Sequence, residues 1–529
     1  MRTDAGECGQ VVILAGGMGT RLAAATNGLP KALVPVLGRS VLERQLLLAR
    51  DQGVGRALLL LGHGSDQIID WLRKRPVDGM TINWVVEAEP LGNGGALLQS
   101  ISVLESRFLV FFADQLMDFD VRRFLDHHAA CGNDVTVIVH PNDHPHDSDL
   151  LEVDDAGRVT ALHRPPHTPG RPLRNVVNAA TYVVERRSLE AVAESSPQRA
   201  DFARDLMPRM VSAGLRVGAY RSREYLKDMG TPERLAKVER DLESGVVARR
   251  LATNTMPGIL LDRDGTVNVE AGRITRPADL VLIPGIGEAI NRAHAAGYLV
   301  AVVTNQPVVA RGDVTMPELD AIHGRMETLL AEARAFVDGI YVCPHHPDRG
   351  FPGEVASLKG PCGCRKPATG LVDQAVAELG LDTSLSWLIG DTTSDVQCAV
   401  AAGLFPALVG TGHAGRDGRF LADAALRFAD APKAIDFIIN RFAGLWHRIV
   451  AVASTAAPGA RIVVQAEDGD EAANIVRLVA EAVRRRGTRV RLGCGAGVPD
   501  PSSVEVVADV VATSDAGDIQ ITTCSPQTP

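Results

Sequence analysis

The sequence predicts an α/β protein built from two doubly wound domains and a small C-terminal α/β piece. Three observations lead there. Short apolar runs alternate with helix-period segments from residue 10 to about 240, the alternation breaks over 240–256, and it resumes at 258 with a second set of strand-like runs. Alternation of this kind calls for a mostly parallel sheet, because each parallel connection needs a crossover and the crossover helices cover both sheet faces.

In the first block the strand-like runs are QVVILAGG, RALLLLGHG, TINWVVEAE, RFLVFFAD and NDVTVIVH, with helical segments such as SVLERQLLLARDQG and DVRRFLDHHAACG between them. Short continuous apolar runs suit strands buried on both faces. The stretch VERDLESGVVARRLATNTMPG ends a helix and passes through Thr, Asn and Pro, which marks a linker. The second block carries GILLDRDGT, YLVAVVTN, DGIYVCPHH and LSWLIGDTTSD, and closes near 412–445 in Ala-rich helical sequence. A third piece starts with the strand RIVVQA, continues as a helix and ends in TTCSPQTP, which reads as a frayed tail. The expected domains are 1–245, 257–445 and 446–529.

Composition excludes several classes. A chain of 529 residues with 22% charged and 46% hydrophobic residues, 51 glycines and 30 prolines has the make-up of an ordered globular protein. A net charge of −9 and a pI near 5.9 lack the basic footprint of a general nucleic-acid binder. The run Arg484 to Arg486, with Arg489 and Arg491, reads as a solvated helix end. No stretch reaches the roughly 18 apolar residues of a membrane helix, and the first apolar run is too short for a signal-peptide core. Eight cysteines in this length do not make a disulfide scaffold. The expectation is a cytoplasmic protein with neither nucleic-acid nor membrane partners.

Directly after the first strand, LAGGMGTRL places Gly16, Gly17 and Gly19 ahead of Arg21, and Lys31 follows Pro30. Glycines there let backbone N–H groups approach a polyphosphate while adjacent cations neutralise it. Alone, the motif is equally a tight strand-to-helix turn. It is joined in order by PKALVPVLGRSVLERQL, LGNGGAL (91–97), FFAD (111–114), VNAATYVVE (177–185) and KDMGTPERL (227–235). This set resembles the sugar-phosphate nucleotidyltransferases over nearly all of 10–240. The resemblance implies a Rossmann-like domain in which Gly16, Gly17, Gly19 and Arg21 hold a nucleoside triphosphate and Gly92, Gly94 and Gly95 line the base pocket. It also implies that Asn178 contacts the sugar and that Asp114 and Asp228 bind Mg2+. A sugar 1-phosphate oxygen would attack the nucleotide α-phosphate in line and expel pyrophosphate, with Arg21 and Lys31 spreading the developing charge. Where the family carries Lys-Pro, this chain has Arg164-Pro165, which keeps the charge and changes its geometry. Asp118 and Asp120 read as solvated loop acids.

In the second block Asp262 and Asp264 stand at the end of an apolar strand, followed in order by TNQ (304–306), CRKP (364–367) and GDTTSD (390–395). Between them lie Cys343, His345, His346, Cys362 and Cys364. Three thiolates and one imidazole suit a tetrahedral structural Zn2+ site made by Cys343, His345, Cys362 and Cys364, with His346 as a neighbour. The block resembles the HAD phosphatases over roughly 257–415, again a Rossmann-like domain. The resemblance implies that Asp262 forms an aspartyl-phosphate and that Asp264 protonates the leaving alkoxide and then activates water. Thr304 and Lys366 would hold phosphoryl oxygens, and Asp391 would bind Mg2+ with Asp262 and the Asp264 carbonyl, supported by Asp395. The zinc loop narrows the likeness to the D-glycero-D-manno-heptose 1,7-bisphosphate phosphatases, with the histidinol-phosphate phosphatases as close relatives. Arg311 and Arg365 then stand where substrate phosphate contacts are expected, with Asn305 beside the substrate. Pro307-Val308-Val309 departs from the usual Ser-Gly-Ile.

The third piece has the layout of a P-loop kinase start but lacks Gly-x-x-x-x-Gly-Lys-Ser/Thr, and AEDGDEAAN offers carboxylates where phosphate needs a lysine. It is read as a degenerate or merely similar α/β piece, and Cys494 and Cys524 have no partner pattern. Together the two resemblances imply a bifunctional enzyme that removes the 7-phosphate of a heptose bisphosphate and transfers a nucleotidyl group, GMP from GTP, to the sugar 1-phosphate. Its partners would be a sugar phosphate and a nucleoside triphosphate, with a homo-oligomer left open. One alternative keeps both folds but acts on a hexose 1-phosphate beside an unrelated phosphatase. The other is a non-catalytic nucleotide-sugar sensor or scaffold, against which the intact Asp262, Asp264, Lys366 and Asp391 set argues.

Overall fold

The computed structural model describes residues 8–17, 28–168, 170–420, 425–442, 461–466, 478, 489–493, 504–510 and 518–523. The chain forms two compact units, Met1–Thr255 and Met256–Pro529. The division falls within the Thr-, Asn- and Pro-containing linker read from the sequence.

The first unit is organised on a nine-stranded sheet. Its strands are β1 (Gln10–Ala15), β2 (Arg56–Leu61), β3 (Thr81–Val86), β4 (Arg107–Phe112), β5 (Val135–His140), β6 (Leu150–Val153), β7 (Val159–His163), β8 (Val177–Glu185) and β9 (Val217–Arg221). They lie in the order β7-β6-β8-β4-β1-β2-β3, with β5 paired to β8 and β9 paired to β5. All five apolar runs named above are strands. β4, β1, β2 and β3 are parallel, whereas β8 runs antiparallel to both β4 and β5. The sheet is therefore mixed: its nucleotide-loop half is all parallel, while the other half combines antiparallel pairings with the parallel pair β9–β5. Alternate side chains enter opposite cores: Val11, Ile13, Leu59 and Phe111 pack on one face, Val12, Leu14, Leu58 and Val110 on the other. That two-residue period explains why these strands read as continuous apolar runs.

The second unit carries a six-stranded sheet of β10 (Gly258–Leu261), β11 (Leu299–Asn305), β12 (Gly339–Cys343), β13 (Trp387–Gly390), β14 (Phe405–Val409) and β15 (Leu426–Phe428), in the order β12-β11-β10-β13-β14-β15. Every pairing is parallel. Ile259, Val300, Val302 and Ile389 face one core and Leu260, Ala301, Val303 and Leu388 the other. β10 and β13 are the central strands, so their C-terminal ends open into the crevice where ligands of doubly wound sheets bind.

The C-terminal residues hold a separate four-stranded sheet, β16 (Arg461–Ala466), β17 (Arg489–Gly493), β18 (Val504–Val510) and β19 (Asp518–Thr523), ordered β16-β18-β19-β17. RIVVQA is a strand as read, and the expected tail is partly strand, since β19 extends to Thr523. The acidic loop after RIVVQA, Cys494 and Cys524 lie outside the described residues. Among the described residues no helix is long and apolar enough to cross a membrane.

Candidate active sites

Two adjoining cavities open in the first unit at the C-terminal ends of the parallel strands. One, of about 320 Å3, is lined by Gly16, Gly17, Lys31, Glu87 and Gly92 among others. The other, of about 410 Å3, is lined by His140, Asn178, Asp228 and Arg234 among others. They share Asn93, Phe112 and Asp114, so Asp114 stands where the two compartments meet.

Asp114 follows β4, and Lys31 Nζ donates to its Oδ2 at 2.8 Å. Asp228 reaches the same place through a two-stranded antiparallel ribbon, Gln115–Asp118 with Tyr225–Asp228, and the Met229 amide donates to the Asp114 carbonyl at 2.9 Å. Both Asp228 oxygens accept from Arg234 Nη1 at 2.8 Å. Burial alone would raise this carboxyl, but the Arg234 charge outweighs it and holds the group below the usual carboxylate range. A divalent cation between the two carboxylates would exchange with Lys31 and Arg234. Asn178 Oδ1 accepts from the Ala180 amide at 2.9 Å and from Tyr182 Oη at 3.0 Å, which leaves its NH2 for a ligand in the second cavity.

The glycines divide. Gly16, Gly17 and Gly92 line the first cavity, while Gly94 and Gly95 face the chain at 198–202 instead of the base pocket. Their amides donate to the Ala200 carbonyl at 2.9 and 3.1 Å, and a Cβ on Gly94 would stand 2.9 Å from the Phe202 nitrogen. Close backbone approach, not ligand space, is what requires glycine there. Gly19 and Arg21 lie outside the described residues. Arg164 is exposed and outside both linings. Asp118 is a half-buried strand end rather than a loop acid, and Asp120 caps a helix by accepting from the Arg123 amide at 3.0 Å. Glu87, at the end of β3, went unread from sequence because it sits in an ordinary strand-end context.

In the second unit, strand ends bring together carboxylates far apart in sequence. Asp262 leaves β10, Asp391 leaves β13, and Asp395 sits in the first turn of the helix Thr393–Ala401; all three are buried, and their ligand oxygens lie within 4.8 Å of one another. Lys366 Nζ donates to Asp262 Oδ1 at 2.7 Å and to the Val303 carbonyl at 2.7 Å, and lies 2.5 Å from Asp395 Oδ1. Three carboxylates against one ammonium leave an excess of two negative charges. Burial, then the neighbouring carboxylates, push Asp391 up to about 8. Burial, with Asp395 and Asp264 adding to it against Lys366, pushes Asp262 up to about 7. Asp391 Oδ1 is buried with no hydrogen-bond partner among the described residues. Gly265 and Gly412, both at positive φ, press against Asp391, and a Cβ on either would strike its carboxylate. A hard, oxygen-seeking dication fits this donor set.

Asp264 is held apart from that group. Arg263, itself buried, donates through Nη2 to both Asp264 oxygens at 2.9 Å; Asn268 Nδ2 and Gln306 Nε2 add bonds of 3.0 and 2.8 Å. Burial raises this carboxyl, but Arg263 and these donors prevail and keep it below its usual range. Thr304 is buried and accepts from Gln306 at 2.9 Å. Arg263, Asn268 and Gln306 were not singled out in the sequence. Asn305 is turned away from a substrate role: its amide pairs reciprocally with the Lys366 backbone at 3.1 and 3.0 Å, fixing where that lysine starts.

Cys343, His345, Cys362 and Cys364 converge as their spacing predicts. The sulfurs lie 3.2–3.7 Å apart, and His345 Nδ1 is 3.2 Å from Cys364 and 3.7 Å from Cys343. Tetrahedral Zn–S bonds of about 2.3 Å put sulfurs about 3.7 Å apart, so this donor set fits zinc. His346 points elsewhere, its Nε2 3.1 Å from Arg311 Nη2. Arg365 Nη1 donates to the His345 carbonyl at 3.2 Å. Both arginines therefore gather at the thiolate loop.

These folds and sites define a nucleotidyltransferase unit followed by a HAD-type phosphatase unit. The family profile for nucleotidyl transferases matches residues 10–245 and that for HAD-hydrolase-like proteins matches 363–443. The D-glycero-beta-D-manno-heptose-1,7-bisphosphate 7-phosphatase of Yersinia pestis is 40% identical over 186 residues, 35% of this chain and 97% of that protein. The chain belongs to the D-glycero-beta-D-manno-heptose-1,7-bisphosphate 7-phosphatase family. Among solved structures, HddC from Yersinia pseudotuberculosis is 28% identical with a TM-score of 0.38, covering 44% of this chain and 99% of its own. The D,D-heptose 1.7-bisphosphate phosphatase from B. bronchiseptica is 32% identical with a TM-score of 0.31, covering 35% and 98%.

Proposed function

We propose that the chain performs two consecutive steps on one sugar. The second unit removes the 7-phosphate of D-glycero-D-manno-heptose 1,7-bisphosphate, and the first transfers a nucleotidyl group, GMP from GTP, to the resulting heptose 1-phosphate. The observation that carries the reading is the buried Asp262, set against Lys366 and beside Asp391 at the end of β10. The substrate in the name of the Yersinia pestis phosphatase supports the sugar.

In the phosphatase step an Asp262 oxygen attacks the phosphoryl group and the sugar alkoxide leaves, giving an aspartyl-phosphate. Asp264 delivers the proton to that alkoxide and later takes one from the attacking water. Asp264 must enter the first of these tasks carrying that proton; its ring of donors favours the ionised form that results, which is the form the second task needs. Lys366 and Thr304 hold phosphoryl oxygens, and Arg311 and Arg365 hold the rest of the substrate. Asp262, Asp391 and the Asp264 carbonyl would hold Mg2+, with Asp395 in support; the ion offsets the repulsion between carboxylate and phosphate. Cys343, His345, Cys362 and Cys364 would hold a structural Zn2+.

In the transfer step the phosphate of the sugar enters the cavity of Asn178 and the nucleotide the cavity of Gly16 and Gly17, so the reacting atoms meet at Asp114. Asp114 and Asp228 would hold Mg2+, which would neutralise phosphate charge, and Lys31 with Arg21 would spread the charge on the leaving pyrophosphate. A thiolate cluster and phosphorylated substrates support the reducing cytoplasm as its compartment. The test is a coupled assay with purified chain, Mg2+, GTP and the heptose bisphosphate. Phosphate release followed by pyrophosphate and GDP-heptose is expected; phosphate without pyrophosphate across all four NTPs would remove the transfer step.

A further inference from the structure

The cavity that holds Asn178 has to admit an anion, since the sugar arrives with a phosphate, yet five carboxylates line it against three cations, Arg204, Lys227 and Arg234. Carboxylates repel a phosphate, so binding needs a cation that is not already taken. Burial pushes His140, on the same wall, down to about 4, so its ring stays neutral and adds no charge. Arg164 is exposed and lines neither cavity.

Two of the three cations are committed. Arg234 Nη1 donates to both Asp228 oxygens at 2.8 Å, and its Nη2 stands 3.4 Å from Asp147 Oδ2. Arg204 Nε stands 3.4 Å from Asp149 Oδ2, and its side chain is 44% exposed, so solvent screens the charge that remains. Lys227 differs from both. Its side chain is only 16% exposed, and the carboxylate it pairs with, Asp143 Oδ1, is 3.5 Å away. Among the described residues its Nζ donates no hydrogen bond. The same Asp143 oxygen is bonded to His144 Nδ1 at 2.6 Å, so it keeps a partner when the ammonium turns away. An ammonium carries three donors, and here all three remain for an incoming anion.

The backbone brings this charge to the reacting centre. Lys227 immediately precedes Asp228 on the ribbon that pairs Tyr225–Asp228 with Gln115–Asp118, and the Met229 amide ties the end of that ribbon to the Asp114 carbonyl at 2.9 Å. Asp143 and Asp147, the partners of Lys227 and Arg234, lie on one loop after β5. A phosphate at Lys227 is then beside the Asp114 and Asp228 carboxylates, where the two cavities meet. We propose that Lys227 holds the phosphate of the incoming sugar 1-phosphate, exchanging its loose pairing with Asp143 for the phosphate oxygens. The proposal rests on the nucleotidyltransferase reading above.

The test measures pyrophosphate release by the full-length chain and its Lys227→Met and Lys227→Arg variants, with Mg2+ and GTP, over a range of heptose 1-phosphate concentrations. Loss of one charge-assisted contact should raise KM for heptose 1-phosphate by about 10- to 100-fold in Lys227→Met. KM for GTP should stay within about twofold in both variants, because the nucleotide lies in the other cavity. Lys227→Arg keeps the charge and should recover most of the loss. A residue that only braced the ribbon would move both KM values together. An unchanged KM for heptose 1-phosphate in Lys227→Met, or an equal rise for GTP, overturns the proposal and leaves the transferase. Where Lys227→Met turns over too slowly to fit, calorimetry with GTP decides: GTP binding retained with Lys227→Arg active supports the proposal, and loss of either overturns it. Failure of the unaltered chain with heptose 1-phosphate and all four NTPs overturns the transferase reading and the proposal together.

Discussion

Lys366 Nζ stands 2.7 Å from Asp262 Oδ1, with the lysine all but fully buried and the aspartate only slightly exposed. It also donates to the Val303 carbonyl and forms an ion pair with Asp395. Two hydrogen bonds and one ion pair place the cation before any substrate arrives. A fixed charge costs no reorganisation when negative charge develops next to it.

Replacing Lys366 with Met should therefore lower phosphatase kcat at least 100- to 1000-fold, the cost of losing one preorganised donor. It should also destabilise the protein by about 3–5 kcal/mol, because it leaves buried carboxylates unpaired. Phosphate release and chemical denaturation would measure the two effects. Asp262→Asn should abolish turnover and any trapped aspartyl-phosphate; residual wild-type phosphate release would sink the covalent route.

Metal and pH act on the same carboxylates in opposite directions. Asp391 at about 8 and Asp262 at about 7 lie above their unfolded values near 4. Without metal the folded chain binds more protons than the unfolded chain between about pH 4 and pH 8, so these groups' contribution to stability falls as pH rises through that window. Mg2+ needs the ionised forms. Melting temperature in EDTA should drop from pH 5.5 to 8, Mg2+ should raise it more at pH 8 than at 6, and titration calorimetry near pH 7 should record proton release on Mg2+ binding.

For the thiolate loop, the purified chain should carry one zinc by elemental analysis, and Cys364→Ser should lose it. Ligation worth on the order of 10 kcal/mol orders the loop, so the variant should melt several degrees lower and expose 343–364 to limited proteolysis. Identical melting and cleavage in the zinc-free variant would exclude a structural metal there.

Asp114→Ala is expected to remove nucleotidyl transfer by 1000-fold or more, since Asp114 sits at the junction of both cavities. Phosphate release from the heptose bisphosphate should stay within about twofold, because the two centres belong to separate compact units. Pyrophosphate and phosphate measured in one reaction decide it; joint loss would show that the units are not independent.

By itself the sequence determined the α/β class, the strand-ending motifs and the thiolate cluster. These are local: a buried strand announces itself by an apolar run, a turn by its glycines, and a metal loop by ligand spacing. Asp262 and Asp391 were legible because each immediately follows such a run. The antiparallel course of β8, the ribbon that brings Asp228 beside Asp114, and the buried Arg263 clamp on Asp264 were decided only in three dimensions. So were the turning of Asn305 to the Lys366 backbone, the packing of Gly94 and Gly95 against 198–202, and the place of Glu87 at the far end of a cavity. In each case the meaning of a side chain depends on which distant backbone lies opposite it. Pairing order and crossover geometry set that partner, and neither is written in the spacing of neighbouring residues.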